Sequence, residues 1–434
     1  METAPRPRMV PMRPAPWPKR AATAMLRRMQ LYSPQQNRPA VDTRWLSVVL
    51  STMMAFGPLS IDMYLPALPE IGRDLAAAPA AVQMSLSGFF LGFGIGQLVW
   101  GPLGDRLGRR GPIAAGIALF VLGSVGCALT GDATHLAAWR FVQAFGSCAA
   151  PVLARAMVRD LYPQDQAARM LSLMMLIMSV APMAAPLVGG QVLAHFGWRA
   201  IFYGLAGFGL LAMAALFTIP ESLPASRRSG QSIPGMAFGY VRLLGDRRYL
   251  AYALSGGFFF GGIFAYIAGT PFVYIEYFGV APQLYGVLFG LNVVGMMILN
   301  VVNRRLVQTM GSDRVLRAGA LAGAVFAVVL AAAGVTGAFG LVGIVVPLFA
   351  YLSMTGLIAA NAMAGAMSVN PAMAGAASGL AGTVQFGIGA LTAALIGWLA
   401  DGTPAPMVLV IGGMGIAAAL AALAITPAQA GRRT

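Results

Sequence analysis

The stretch Gly101-Pro102-Leu103-Gly104-Asp105-Arg106-Leu107-Gly108-Arg109-Arg110 lies between two long apolar runs, Ser85 to Trp100 and Pro112 to Ala128. Nothing in hydrocarbon hydrates an ion, so a run of charge and glycine places a turn in water between two membrane crossings. Gly101, Gly104 and Gly108 suit a tight turn and a close approach of helices, while Asp105, Arg106 and Arg109 can lock neighbouring helix ends. Asp105 is expected to cap or bridge such an end by meeting Arg155 or Arg159.

Composition fits that reading outward along the chain. The 434 residues are 58% hydrophobic and 10% charged, with a mean hydropathy of +0.74. A helix apolar on every side faces lipid or a buried core. A formal charge of +15 would point to nucleic acid in a soluble protein. Here the arginines gather between the apolar runs, as membrane topology requires, so no nucleic-acid partner is expected. Cys127 and Cys148 both fall inside apolar runs, which argues against a disulfide framework. His135 and His195 are far apart and form no metal or triad pattern. A phosphate-binding G-x-x-x-x-G-K-S/T loop is also missing from the sequence. Neither an enzyme, a metal nor a cofactor is expected.

From Trp45 onward the chain offers about a dozen runs of membrane-crossing length. Their approximate cores are 45–66, 83–103, 112–130, 136–158, 170–192, 200–219, 250–271, 283–303, 315–335, 339–362, 374–399 and 406–427. The break from Pro220 to Tyr249 carries Arg227, Arg228, Arg242, Arg247 and Arg248. The expected architecture is an all-α polytopic membrane protein of twelve helices in two six-helix halves. Residues 1–43 read as a disordered basic tail with no run that suits a signal peptide. The halves occupy 44–220 and 249–427, joined by a linker over 221–248, with a short tail at 428–434.

Arginine placement orients the chain. Arg106, Arg109, Arg110, Arg155, Arg159, Arg169, Arg304, Arg305, Arg314, Arg317, Arg432 and Arg433, with those of the tail and linker, all fall on one side, and the opposite side shows only Arg73 and Arg199. This predicts a multi-pass membrane protein with both termini cytoplasmic. Leu306 to Arg317, with Gly311, Asp313 and Arg314, reads as a degenerate copy of the opening stretch, as parallel repeats would produce.

Within the apolar runs, Asp62 in Ser60-Ile61-Asp62-Met63-Tyr64-Leu65-Pro66-Ala67-Leu68-Pro69 is an intramembrane carboxyl, a functional candidate because of its cost there. Apolar surroundings disfavour its charged form, which suits a group that takes up and releases protons. Arg140 is followed by Gln143 and Gly146, and depth counting puts Arg140 and Asp62 in the outer half of the membrane, so the two could pair if helices 1 and 4 both line the cavity. Pro182, Pro186 and Gly190 in the fifth run bend the helix and allow close packing. Tyr64, Gln143, Phe259, Tyr266, Asn292, Asn361 and Gln385 are candidate substrate contacts. The aromatic cluster Phe258–Phe260 with Phe264, and Met174, Met175 and Met178, could line a pliable pocket.

Several of these motifs carry a family resemblance. The opening stretch resembles the G-x-L-x-D-R-x-G-R-R signature of the major facilitator superfamily, and Arg140-x-x-Gln143-x-x-Gly146 resembles its fourth-helix signature. Ala181 to Gly190 is similar to the antiporter signature of its fifth helix, with Ala185 in place of the usual glycine. The string D-M-Y-L-P-A-L-P resembles the bicyclomycin/chloramphenicol-resistance (Bcr/CflA) branch of drug–proton antiporters, as do Gly197 to Phe202 and Ala374 to Leu380. The resemblance implies proton-coupled efflux of drugs or other small amphipathic molecules by alternating access. Asp62 and Arg140 would couple the proton, and Gly101, Asp105, Arg106, Gly108, Arg109, Arg155, Pro182, Pro186 and Gly190 would gate. The expected partners are a small-molecule substrate, protons and the lipid bilayer, with no obligate protein partner. Export of a metabolite, proton-driven import of a sugar and a non-transporting sensor remain open alternatives.

Overall fold

Lipid tails are as apolar as leucine, so helices in a bilayer associate only where backbones approach closely enough for dispersion and polar contacts to act. The computed structural model describes residues 43–228 and 233–425. Among these residues the chain is helical between short turns and has no strand. Twelve helices are long and apolar enough to span a membrane: α1 Arg44–Asp74, α2 Pro79–Leu107, α3 Arg110–Leu129, α4 Ala133–Leu161, α5 Arg169–Phe196, α6 Trp198–Phe217, α7 Arg247–Tyr277, α8 Pro282–Met310, α9 Ser312–Thr336, α10 Gly340–Val369, α11 Ala374–Leu399 and α12 Ala405–Leu423. Every expected run is there, most of them longer than its core. A further helix, Ile233–Leu244, lies in the linker. Apart from Thr43, the expected N-terminal tail lies outside the described residues, as does 426–434.

Glycine sets the spacing. Gly88, Gly92 and Gly96 recur every four residues along α2 and sit against Ala137, Phe141 and Cys148 of α4. The i, i+4 repeat puts them on one helix face, where a side chain would meet the partner backbone. Gly123 of α3 likewise lies against the backbone of Gln143. Gly94 on another face of α2 meets Phe386 of α11, and the Thr383 hydroxyl donates to the Gly94 carbonyl at 2.9 Å. The halves therefore touch along α2 and α11, and a second seam joins α5 to α8.

Twelve crossings bring Arg44 and Ile425 out on one face, together with the 2–3 turn, the linker helix and the 8–9 turn. We term this the basic face and its opposite the remote face. Gly190 against Pro282, Gly286 against Leu187 and Gly397 against Ala80 all lie near the remote face. The halves are closed on each other there.

The 2–3 turn depends on Gly108, whose φ of +97° lies where L side chains are strained. An added Cβ would also stand 2.7 Å from Glu221 Oε2. Glu221 accepts from the backbone N–H of Arg109 at 2.9 Å and of Arg110 at 3.0 Å, at the start of α3. A carboxylate there satisfies orphan donors and complements the helix dipole. Burial works against the Glu221 charge, but the backbone donors of Leu223, Arg109 and Arg110 outweigh it and hold the carboxyl below its ordinary range. Arg109 reaches Asp105 at 2.5 Å and Asp160 at 3.0 Å. Ser222 donates to Asp160 at 3.2 Å, and Arg110 to the Phe217 carbonyl at 2.7 Å. The ends of α2, α3, α4 and α6 are thereby tied.

Two expectations for this turn are corrected. Asp105 meets neither Arg155 nor Arg159: the backbone reversal at Gly108 swings Arg109 between α2 and α4, where it reaches Asp105 itself. Arg155 turns back to the Pro151 carbonyl at 2.9 Å. Gly101 would meet nothing within 4 Å on gaining a Cβ, so it provides no close approach, whereas Gly104 lies against Leu153.

The second half repeats the turn with different chemistry. Gly311 has φ +81°, but amides take over most of the ties: Asn361 donates to Asn303 at 2.8 Å and accepts from Ser312 at 2.8 Å. Asn361 is thus engaged in a structural network rather than presented to a ligand. Asp313 accepts from Tyr252 at 2.7 Å and stands 3.9 Å from Arg248.

Overpacking a close helix contact costs roughly 1–3 kcal/mol. Gly92→Leu is therefore expected to lower the melting temperature of the purified protein clearly, while Gly101→Ala leaves it unchanged; equal melting of Gly92→Leu and the native chain would discount the glycine stripe. Glu221→Gln is expected to destabilise by about 1 kcal/mol at neutral pH. Because the folded Glu221 carboxyl titrates below its ordinary value, its contribution is present above about pH 4.3 and fades as pH falls through the lowered value. Melting curves of native and Glu221→Gln protein should converge once the medium is more acid than that lowered value; a gap that persisted there would mean that Glu221 acts through shape and not charge.

Candidate functional site

Proline breaks α1 where its carboxyl sits. Pro58 and Pro66 lack the N–H that would bond the carbonyls of Met54 and Asp62, and the chain tightens to 3₁₀ geometry at Met53–Ala55 and Leu65–Ala67. Asp62 ends the helical stretch Phe56–Asp62 and is 5% exposed. It makes no hydrogen bond or ion pair among the described residues. Tyr266 of α7 and Tyr285 of α8 lie within its electrostatic reach, so the carboxyl faces the other half of the molecule. Both tyrosines are held: Asn292 donates to the Tyr266 hydroxyl at 3.0 Å, and the hydroxyls of Thr270 and Tyr285 are 3.1 Å apart.

Arg140 does not pair with Asp62. It is fully buried and donates to the Ser60 carbonyl at 2.9 Å and to Gln143 Oε1 at 2.5 Å. Gln143 passes the network on to Ser124 at 2.7 Å. The guanidinium carbon lies 4.5 Å from the ring centre of Tyr64, 4.3 Å from that of Phe89 and 5.8 Å from that of Phe202. Its Nε and one terminal nitrogen have no hydrogen-bond partner. The separation from Asp62 has a helical cause: two residues turn a helix by about 200°, so Ser60 and Asp62 look in nearly opposite directions. An isolated buried guanidinium costs several kcal/mol. The three ring faces, each worth up to about 2 kcal/mol when dry, offset much of that.

The other candidates divide. Tyr64 is fully buried and its hydroxyl lies 2.6 Å from Ser85, so it walls the Arg140 cage rather than a ligand space. Gln143 is a member of the same network. Phe259 packs on Tyr351 at 4.8 Å between centroids, within the second half. Tyr266 and Asn292 are brought together opposite Asp62. Gln385 lines a small cleft of about 20 Å³ with Tyr252, Phe260 and Met363. Met174 is fully buried, whereas Met175 and Met178 are exposed.

Of the gate candidates, Gly108, Asp105 and Arg109 join the 2–3 network, and Arg106 is exposed. Pro182 and Pro186 lie within a continuous helix. Gly189 abuts the carbonyl of Met63, next to Asp62, and Gly190 meets Pro282 of α8. The end of α5 is thus wedged between α1 and the second half.

Sequence reading missed Glu221, Asp160 and Tyr285. Glu221 carried a signal: it is the one acidic residue between Asp165 and Asp246. Tyr285 also carried one, standing seven residues, or two helical turns, before Asn292.

The Major Facilitator Superfamily model matches residues 48–393. An uncharacterised MFS-type transporter of Bacillus subtilis is 36% identical over 393 residues, covering 90% of this chain and 97% of its own. A bicyclomycin resistance protein homolog of Haemophilus influenzae is 32% identical over 384 residues, covering 86% and 94%. The xylose transporter of E. coli, in a partially occluded inward-open conformation, superposes with a TM-score of 0.68 at 16% identity, covering 90% of this chain and 99% of its own. That likeness speaks to the fold alone. Twelve spanning helices, the paired glycine turns and relatives aligned along nearly the whole length lead to one assignment: the chain belongs to the major facilitator superfamily, in its bicyclomycin/chloramphenicol-resistance branch.

Proposed function

We propose that the chain exports small amphipathic molecules, antibiotics among them, across the bacterial inner membrane in exchange for protons. The basic face is cytoplasmic, with both termini on that side, because arginine-rich segments are retained there. The bicyclomycin-resistance role in the name of the Haemophilus relative supports an antibiotic as cargo.

One observation carries the coupling: Asp62 is buried at the junction of the halves, with no partner among the described residues. A carboxylate in that position is costly, and a neutral carboxyl is much less so. When the remote side is open, Asp62 takes a proton from the outer medium and the cargo leaves. The halves then close over the neutral group, with Tyr266 and Tyr285 opposite it and Gly189 and Gly190 letting α5 seat against α1 and α8. Access from the basic face returns the proton to the cytoplasm and readmits cargo. Arg140 acts as a positioning residue, holding α1 by the Ser60 carbonyl two residues before the carboxyl. The Asp105–Arg109–Asp160–Glu221 network keeps the cytoplasmic ends of the first half moving as one body.

Drug-dependent proton movement in proteoliposomes or inverted vesicles is the test. Bicyclomycin or chloramphenicol should drive it with the native chain, and Asp62→Asn should reduce it at least about ten-fold while leaving the protein folded. Proton movement unaffected by the substitution would move the coupling group elsewhere. No response to any drug in a broad panel would favour a metabolite as cargo.

A further inference from the structure

A cavity of about 280 Å³ opens at the remote face, on the seam between the halves. It is walled by Pro79 and Gln83 at the start of α2, by Phe272, Glu276 and Tyr277 at the end of α7, and by Thr403 in the 11–12 turn. The last turns of α7, Phe272–Tyr277, are π-helical. That geometry is rare and recurs where a helix serves a site. Glu276 is exposed, and Gln83 is buried with its Oε1 lacking any hydrogen-bond partner. Just behind the wall, Asp401 accepts from the backbone N–H of Thr403 at 2.8 Å and its hydroxyl at 2.7 Å. Those bonds, the hydroxyl foremost, keep the Asp401 carboxyl below its ordinary range and so charged.

The remote side as a whole is net acidic. Glu70, Asp74, Asp132, Glu276 and Asp401 lie on this side, against Arg73 and Arg199, and Arg199 is taken by Asp74 at 2.6 Å. Anions are disfavoured by such a mouth. A metal ion is not a natural occupant either, since no group of three or more histidine, cysteine or acidic side chains converges anywhere among the described residues.

We propose that this cavity is a second binding site, separate from the Asp62 region, which takes an amphipathic organic cation. Glu276 meets the positive charge, and Phe272 and Tyr277 offer ring surface to its apolar body. The volume, at the lower end of small-molecule pockets, suits a compact aromatic cation rather than an extended drug. As a last station on the way out, the site rests on the export reading; as a binding site it does not.

The test is ethidium binding, followed by fluorescence anisotropy, to the full chain in nanodiscs of uncharged lipid. The measurement is made in the Asp62→Asn background, which removes the interior carboxyl. Saturable binding is expected to persist there, to weaken about five-fold on adding Glu276→Gln and to stay within about two-fold on adding Glu276→Asp. Absence of saturable binding in Asp62→Asn, or equal affinity with and without Glu276→Gln, would overturn the proposal. Neither result touches the proton-movement assay, so this site and the coupling role of Asp62 fail separately.

Discussion

The interior of a bilayer offers no water, and every polar group carried into it needs a partner, a cage or a reason to be there. Arg140 has a cage: two hydrogen bonds and three ring faces accommodate a charge with no carboxylate beside it. Asp62 has neither among the described residues, and it is on this contrast that the proposed coupling role rests. The same rule explains the glycines. With no hydrophobic force between helices, contact must come from backbone proximity, and the Gly88, Gly92, Gly96 series lets α2 lie against α4 closely enough to hold.

The two halves repeat a fold but not its chemistry. Gly108 and Gly311 make the same left-handed turn between the second and third helices of each half. In the first half this turn is bound by ions, with Arg109 between two carboxylates and Glu221 on the start of α3. In the second, amides carry most of the binding, through Asn303, Asn361 and Ser312, and a single carboxylate, Asp313, meets Tyr252 and Arg248. Ionic ties near a membrane surface weaken with salt and acid, whereas amide ties do not. The first half, with the denser set of ion pairs, is thus the one whose turn responds more to salt and acid on the basic face.

Much of this was legible in the sequence, for a reason that also marks the limit. Hydropathy and arginine placement report position along the membrane normal, so the number of spans and the depth of Asp62 and Arg140 could be counted. Position around a helix axis is not counted so easily. Ser60 and Asp62 share a depth and face different neighbours, and the Asp62–Arg140 pair that depth allowed failed on that angle alone. Contacts across long sequence separations were hidden for a similar reason: Glu221 reaches Arg109 from 112 residues away. The π-helical end of α7 and the cavity beside it depend on how three distant segments come together, and no local pattern announces that.

The proline at position 66 has a mechanical corollary. In a continuous helix, bending requires a backbone bond to break, and in hydrocarbon that bond finds no substitute. Pro66 removes the bond to the Asp62 carbonyl at the moment of folding, so flexing α1 at this level has one helical bond fewer to strain. The segment beyond it, Leu68–Asp74, is fastened at its far end to α6, where Asp74 accepts from Trp198 and Arg199. It therefore works like a strut hinged at one end and bolted at the other. A shift of the α6 entrance is delivered to the pivot, and the residue standing at that pivot is Asp62.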